Sequence, residues 1–221
     1  MEKLCILIPS YNEARTIGSV ISQLKPRALT MYVVDDGSSD DTAVIARREG
    51  AVVVQHKVNK GKGAAMREGF SHIIKKGYER VIVMDGDDQH SSKDLDALIS
   101  AMNESGSDMV IGNRMHDTSA MPKMRIFVNH LMSFLISKVS GVNVPDTQCG
   151  FRIIKIKLLE EISLESSNYE IESELIIKAA RKKFTISSCP IKTVYQNEQS
   201  RINPLVDTFR FIVFITKTIF K

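Results

Sequence analysis

Residues 80–90 have the sequence RVIVMDGDDQH, in which a short apolar run is followed at once by acidic residues. A continuous apolar run of this length is typical of a strand that is buried on both faces of a sheet. The carboxyl ends of such strands border the crevice in which open α/β sheets bind ligands. Asp85 and Asp87 are two residues apart, so both side chains can point toward one hard cation. An exposed acidic turn is the alternative, but a second acidic strand end upstream favours a site for a metal and a nucleotide.

Short apolar runs alternate with helical patterns through the first half of the chain. Pro9 is expected to end the first strand because proline cannot donate to a ladder, and Asn12 is expected to cap the first helix, from about residue 14. Repeated βα units of this length predict a largely parallel sheet covered by helices. The predicted strands span residues 4–8, 31–34, 51–55, 80–84 and 109–111, and the predicted helices end near residues 24, 49, 76 and 103.

Two further polar segments follow predicted strands. Asp35 and Asp36 end the second strand, where an acidic residue commonly accepts hydrogen bonds from ribose hydroxyls or a base N–H. Helix capping explains the later acidic residues of DDGSSDDT but not these two. The segment GKG at 61–63 lacks the spacing of a phosphate-binding P-loop, so a solvated, glycine-rich helix start is the favoured interpretation. Lys62 remains a candidate for binding a nucleotide.

Composition limits the class of protein. The 221 residues predict one large domain, or one domain with an appendage, and the net charge of +4 comes from a basic excess in 111–221, the expected host of an anionic partner. Three scattered cysteines, without metal-site spacing, are expected to be reduced thiols of a cytoplasmic chain. We expect no signal peptide, no confident membrane span and no nucleic-acid partner. The oligomeric state is open, with a dimer among the options.

Several motifs resemble one enzyme family. PSYNE, VVDDGSSDDT, GKGAA and DGDDQH, in this order, resemble the nucleotide-binding half of family-2 glycosyltransferases with the GT-A fold. IGNR at 111–114, a helix from about residue 124 and DTQCGFR at 146–152 resemble polyprenyl-phosphate hexose synthases, such as dolichyl-phosphate mannose and glucose synthases. The resemblance covers about residues 4–201. It implies an α/β GT-A fold, with a Rossmann-like, mostly parallel central sheet and helices on both faces.

The resemblance also assigns roles to residues of the first half. It places Pro9, Tyr11 and Glu13 around the nucleotide, with Asp36 close to it. A DxDxQ triplet would hold Mg2+ or Mn2+ together with the donor diphosphate, and here it consists of Asp85, Asp87 and Gln89. The nucleotide-sugar half is expected over about 1–112 and the acceptor half over about 113–203, which together form the catalytic domain 1–203.

In the second half the resemblance implies phosphate-binding cations, which are Arg114, Arg125 and Arg201. Arg201 stands where the family more often has lysine, and Asn129 replaces a serine one helical turn after the first helix arginine. Asp146 matches an aspartate that acts as a base or orients the acceptor; a helix cap or loop residue is the alternative. The motif DTQCGFR weakly favours a glucose donor but does not identify the sugar.

The chemistry that these residues permit is transfer of a hexose from a UDP- or GDP-sugar. A metal held by carboxylates would stabilise the departing diphosphate. A phosphate acceptor is already anionic, so arginines that neutralise and aim it can suffice, whereas a hydroxyl acceptor needs a general base. The sequence therefore predicts a metal-dependent inverting glycosyltransferase acting on a polyprenyl phosphate, with a hydroxyl of a lipid or glycan as the alternative acceptor. A sugar-nucleotide pyrophosphorylase would need a glycine-rich loop after the first strand, where this chain has PSYNE. The intact Asp85, Asp87 and Gln89 disfavour a catalytically silent binding module.

The remaining segments predict an amphipathic helix over 170–184, strands over 185–195 and a C-terminal helix over 204–221. Glu172 and Glu174 either face the site or lie at the surface. The last helix is apolar, rich in phenylalanine and punctuated by charges, which favours a helix on the cytoplasmic membrane surface. A core or dimer helix is the alternative.

Overall fold

The computed structural model describes residues 3–88, 92–119, 121–192 and 204–219. The strands in these ranges are β1 Leu4–Ser10, β2 Thr30–Asp35, β3 Val52–Gln55, β4 Arg80–Val83, β5 Met109–Asn113, β6 Arg152–Lys155 and β7 Ile186–Pro190. The α-helices are α1 Ile17–Leu24, α2 Thr42–Arg48, α3 Lys62–Ile74, α4 Ser92–Ser105, α5 Lys123–Ser140, α6 Ile156–Glu161, α7 Glu170–Arg181 and α8 Pro204–Ile219. Short 3-10 helices cover Lys25–Arg27 and Arg114–His116.

Within the described ranges the strands form one sheet of seven, in the order β3-β2-β1-β4-β6-β5-β7. Most pairs are parallel, whereas β6 runs antiparallel to both β4 and β5. The chain moves outward from β1 to β3 and then returns to β4, on the other side of β1. Because crossovers of this kind are right-handed, α3 covers the opposite face of the sheet from α1 and α2. The predicted α/β fold is confirmed, and its ligand crevice lies between β1 and β4, where the strand order reverses.

The strands that border this crevice are fully covered. β1 is buried along its whole length, and Val81, Ile82 and Val83 of β4 have no exposed surface. Because both faces of the sheet are covered here, the sequences of these strands are continuous apolar runs and do not alternate between apolar and polar residues. Their carboxyl ends are therefore held in fixed positions by the core.

The connection after β1 differs from the prediction. β1 continues through Pro9 to Ser10, paired with β2, while its pairing with β4 stops at Leu7. The nitrogen of Pro9 faces the β4 side, where no ladder bond is left to donate, so proline is tolerated. Asn12 does not cap the helix: its backbone is left-handed with φ 52°, and its Oδ1 accepts a hydrogen bond from the N–H of Ser39. The helix itself begins three residues later than predicted, at Ile17.

The second half also departs from the prediction. β6 and α6 were not predicted. The helix predicted over 170–184 is present as α7 and is buried on most of its surface. The helix α8 is present, and its side chains Phe211 and Ile215 pack into the core. Its place on a membrane surface stays a prediction. Within the described ranges, no helix combines the length and apolarity needed to cross a bilayer. Residues 193–195 lie outside the described part, and the boundaries near 112 and 203 stay predictions.

Candidate active site

The crevice between β1 and β4 contains a buried cluster of opposite charges. Nζ of Lys62, in the first turn of α3, lies 2.6 Å from Oδ1 of Asp85 and 2.7 Å from Oε1 of Glu172 on α7. Burial alone lowers the pKa of Lys62, but the attraction of the two carboxylates outweighs it and raises the pKa above its usual range. Lys62 is therefore a charged member of the site. The segment 61–63 begins a helix, as predicted, but it is not solvated: Gly63 is buried and Lys62 is largely enclosed.

The predicted motif at 146–152 passes directly over this cluster. A Cβ added to Gly150 would lie 2.5 Å from Oδ2 of Asp85 and 3.1 Å from Nζ of Lys62. Glycine is therefore the residue that lets this backbone approach the end of β4 so closely. Two residues later the motif enters β6, so an element missing from the sequence prediction supports the site.

Arg152 and Glu172 join the motif to α7. Arg152 has no exposed surface; its guanidinium donates to the carbonyl oxygens of Cys149 at 2.5 Å and of Glu172 at 3.2 Å. The guanidinium also lies 3.7 Å from Oε2 of Glu172. Positive and negative charges thus alternate from Arg152 through Glu172 and Lys62 to Asp85. Burial raises the pKa of the Cys149 thiol to about 12, so this cysteine is not a nucleophile.

The first residue of the same motif, Asp146, holds Arg114. Oδ2 of Asp146 accepts hydrogen bonds from the backbone N–H of Arg114 at 3.1 Å and from its Nε at 2.8 Å, and Oδ1 accepts from a terminal nitrogen at 2.9 Å. The side chains of Arg114 and Asp146 are 7% and 0% exposed. This bidentate pair fixes the guanidinium at the end of β5. The family resemblance implied a role for both residues but not that they bind each other.

Asp35 and Asp36, at the end of β2, have different surroundings. Asp36 accepts from the backbone N–H of Lys60 at 2.9 Å and of Gly61 at 2.7 Å, and its Oδ1 lies 2.7 Å from Nδ1 of His56. It anchors the loop that leads into Lys62. Asp35 is also buried, and its Oδ2 has no hydrogen-bond partner among the described residues. A buried acceptor without a partner is costly, so Asp35 is the better candidate for contacting a ligand.

The segment after β1 packs against the loop after β4. Oγ1 of Thr16 donates to the carbonyl oxygen of Gly86 at 2.7 Å, and a Cβ on Gly86 would lie 3.6 Å from Cγ of Glu13. Pro9 is buried, Glu13 is half-buried and Tyr11 is 37% exposed. The structure therefore brings the predicted nucleotide-binding segment to the acidic end of β4.

Of the remaining predicted site residues, two lie within the described ranges. Asp87 lies half-buried in the bend after β4, and Arg125 lies half-buried in the first turn of α5. Gln89 and Arg201 fall outside the described residues. Asn129, one turn after Arg125, is buried with its Nδ2 3.8 Å from the sulfur of Met115.

A separate cavity of about 480 Å3 lies between α7, α8 and residues 165–168. Glu174 lines it, whereas Glu172 faces Lys62 from the opposite side of α7. Glu174 accepts backbone hydrogen bonds from Glu165 and Ser166. It has a structural role there, and this cavity is not part of the crevice at the strand ends.

The sequence and the fold of this chain are similar to those of known proteins. The chain matches Glycosyl transferase family 2 over residues 5–163. It belongs to this family. Its fold is that of the GT-A glycosyltransferases: glucosyl-3-phosphoglycerate synthase from Mycobacterium tuberculosis, solved with Mn2+, UDP and glucosyl-3-phosphoglycerate, superposes with a TM-score of 0.72 at 19% identity, covering 98% of this chain and 78% of that one.

Two curated relatives of this family-2 glycosyltransferase are named for lipid acceptors. A UDP-N-acetylglucosamine–dolichyl-phosphate N-acetylglucosaminyltransferase from Methanococcus voltae is 28% identical over 213 residues, covering 86% of this chain and 85% of that protein. A polyprenol monophosphomannose synthase from Mycolicibacterium smegmatis is 28% identical over 204 residues, covering 86% and 77%. The predicted family and its relation to polyprenyl-phosphate sugar transferases are confirmed.

Proposed function

We propose that this chain is a metal-dependent, inverting glycosyltransferase that moves a hexose from a nucleoside-diphosphate sugar to a polyprenyl phosphate. The observation that carries the proposal is the loop 146–152, which extends from the Arg114–Asp146 ion pair to Asp85. At one end Asp146 fixes the Arg114 guanidinium, and at Gly150 the loop touches the carboxylate of Asp85. A donor diphosphate at Asp85 and an acceptor phosphate at Arg114 would face each other across this loop.

The donor half of the proposal rests on the ends of β1, β2 and β4. Tyr11 and Glu13 would line the nucleotide, and the buried Oδ2 of Asp35 would accept a hydrogen bond from a base N–H. We assign this contact to Asp35 because Asp36 is occupied by the loop that leads into Lys62.

The residues present fit a divalent cation. Carboxylates are the ligands that Mg2+ and Mn2+ prefer, and the ammonium of Lys62 beside Asp85 shows that this position attracts positive charge. The described residues contain no group of three or more His, Cys, Asp or Glu side chains that could hold a metal. Asp85 and Asp87 would therefore hold the cation together with Gln89, diphosphate and water. When bound, the cation supplies Lewis-acid stabilisation of the departing diphosphate.

The acceptor half of the proposal rests on Arg114. Both oxygens of Asp146 accept hydrogen bonds from Arg114, so Asp146 acts as a positioning residue rather than as a general base. A phosphate acceptor suits this arrangement because its oxygens are already anionic and need a fixed cation. Arg125 in α5 would add a second charge. The predicted contribution of Arg201 remains part of the proposal.

The lipid part of the acceptor is supported by α5. On the outer side of this helix the large apolar side chains of Met124, Phe127, Leu131 and Phe134 are exposed, whereas its inner side buries Asn129, Ser133 and Ile136. An exposed apolar stripe of this kind marks an interaction surface. The sequence of α5 contains no acidic residue and carries two lysines, an arginine and a histidine, which suits an anionic membrane surface. Peripheral binding to the cytoplasmic face of a membrane is therefore proposed through α5, in addition to the predicted surface role of α8.

The proposal is tested by transfer and binding assays on matched variants. UDP- and GDP-hexoses are incubated with polyprenyl phosphate and with hydroxyl acceptors, with Mn2+ or EDTA. Asp87→Asn should remove the response of donor affinity to Mn2+. Asp88→Asn, whose native oxygens accept from Ser19 and Gln23 on α1, should retain it. Transfer to hydroxyl acceptors alone, or an unchanged metal response of Asp87→Asn, would contradict the proposal.

A further inference from the structure

The ammonium of Lys62 lies beside Asp85, which is one of the proposed metal ligands. It is 2.6 Å from Asp85 and 2.7 Å from Glu172, and its side chain is 16% exposed. A buried ammonium between two carboxylates is a resident counter-ion rather than a surface charge. It neutralises Asp85 before any ligand arrives.

The backbone that carries Lys62 is anchored independently of these ion pairs. Asp36 accepts from the N–H groups of Lys60 and Gly61, and Gly61 has a left-handed φ of 96° immediately before α3 begins. A non-glycine side chain would be strained at that φ. Glu172 is itself held near the buried Arg152. Lys62 is therefore directed at Asp85 by the fold and not by a chance rotamer.

We propose that Lys62 couples the binding of the divalent cation to the binding of the nucleotide. The inference rests on the proposed function, in which the donor is a nucleoside-diphosphate sugar bound with a metal. A cation that arrives alone must compete with the ammonium for Asp85 and is repelled by it. A cation that arrives with a diphosphate brings negative charge that the ammonium can pair with. Metal and nucleotide therefore favour each other, and by linkage the enhancement is the same in both directions.

The test measures binding without turnover. Free Mn2+ is titrated by electron paramagnetic resonance, first with Mn2+ as the sole ligand and then with saturating UDP or GDP. In the wild type the nucleotide should tighten Mn2+ binding at least tenfold. In Lys62→Met, Mn2+ alone should bind at least threefold more tightly, and the enhancement by nucleotide should fall at least fivefold. Some enhancement should remain because the diphosphate also binds the metal directly.

Lys60→Met is the matched control. It removes the same charge two residues away, from an exposed side chain, and keeps the backbone bond to Asp36. It should change both Mn2+ measurements less than twofold. If Lys62→Met unfolds, the double variant Lys62→Met with Glu172→Gln removes one charge of each sign and should show the same loss of coupling.

The outcomes separate this inference from the proposed function. Equal behaviour of Lys62→Met and Lys60→Met, with Mn2+ binding intact, would overturn the coupling role and leave the metal-dependent function standing. Absence of Mn2+ binding in the wild type, with and without nucleotide, would overturn both. Normal coupling together with no transfer to a lipid phosphate would overturn only the acceptor assignment.

Discussion

The ion pair between Arg114 and Asp146 allows a quantitative prediction. Asp146→Asn keeps the shape of the side chain but leaves the guanidinium buried without a counter-charge. Removing one partner of a buried pair costs about 3–5 kcal/mol. The asparagine carbonyl can keep one hydrogen bond worth about 1 kcal/mol. We therefore expect a loss of about 2–4 kcal/mol, which a domain with a stability of about 5–15 kcal/mol can survive.

Urea unfolding at pH 7 measures this loss as a shift in midpoint at constant slope. The matched control is Glu79→Gln, because Glu79 pairs with Lys3 at 3.9 Å and both side chains are mostly exposed. That substitution should cost about 0–1 kcal/mol. The combination of Arg114→Met with Asp146→Asn should cost less than the sum of the single changes, since it leaves no unpaired charge. A loss for Asp146→Asn equal to that of Glu79→Gln would refute the reasoning.

The same variants separate positioning from general-base catalysis. If Asp146 acts through Arg114, Arg114→Met and Asp146→Asn should each lower kcat/KM for polyprenyl phosphate by roughly tenfold or more, the effect of one charged contact of about 1.5–3 kcal/mol. The double variant should be no worse than either single one. A far larger loss for Asp146→Asn, adding to that of Arg114→Met, would show that Asp146 is a base.

Three further predictions follow from other parts of the structure. The double variant Phe127→Ser with Phe134→Ser should reduce sedimentation with phosphatidylglycerol liposomes roughly tenfold or more, because each aromatic side chain that is buried in the bilayer contributes about 1.5–3 kcal/mol to binding. The control Val44→Ser, at an exposed valine of α2, should not reduce it. Gly150→Ala should weaken Mn2+-dependent nucleotide affinity roughly tenfold in calorimetry, because overpacking costs about 1–3 kcal/mol and the added Cβ would meet a carboxylate oxygen 2.5 Å away. Burial raises the pKa of Glu174, but its hydrogen bonds outweigh this effect and lower the pKa from its ordinary 4.5. The urea midpoint of the wild type should therefore fall as the pH drops below that value. The midpoint of Glu174→Gln should fall less over the same pH range.

The strands around the crevice could be predicted because their signal is local. β1, β2 and β4 are buried on both faces, and each is followed by polar residues at the position where parallel strands present ligands. A run of apolar residues is sufficient to identify such a strand. The prediction of Asp85 as a site residue follows from the same local order, whereas Lys62 was predicted only as a candidate for nucleotide binding.

The pairs within the site could not be predicted from local order. Lys62 and Glu172 are separated by 110 residues, and Arg114 and Asp146 by 32. The spacing of residues along the chain carries no information about which distant carboxylate meets which cation. β6 was missed for a related reason: it is four residues long, begins and ends with a cation, and becomes a strand through antiparallel pairing with β4 and β5.

Helix α5 connects the proposed membrane surface with the loop 146–152 of the candidate active site. On its inward side, Oγ of Ser133 accepts a hydrogen bond from the N–H of Thr147 at 3.0 Å and lies 3.2 Å from Oγ1 of Thr147. Thr147 follows Asp146 in the loop that holds Arg114 and reaches Asp85 at Gly150. A membrane bound to the outward face of α5 would therefore set the orientation of this loop relative to the lipid phosphates. The buried Ser133 thus ties α5 to this loop, and in the proposed function the exposed apolar side chains on the outer side of α5 contact the bilayer.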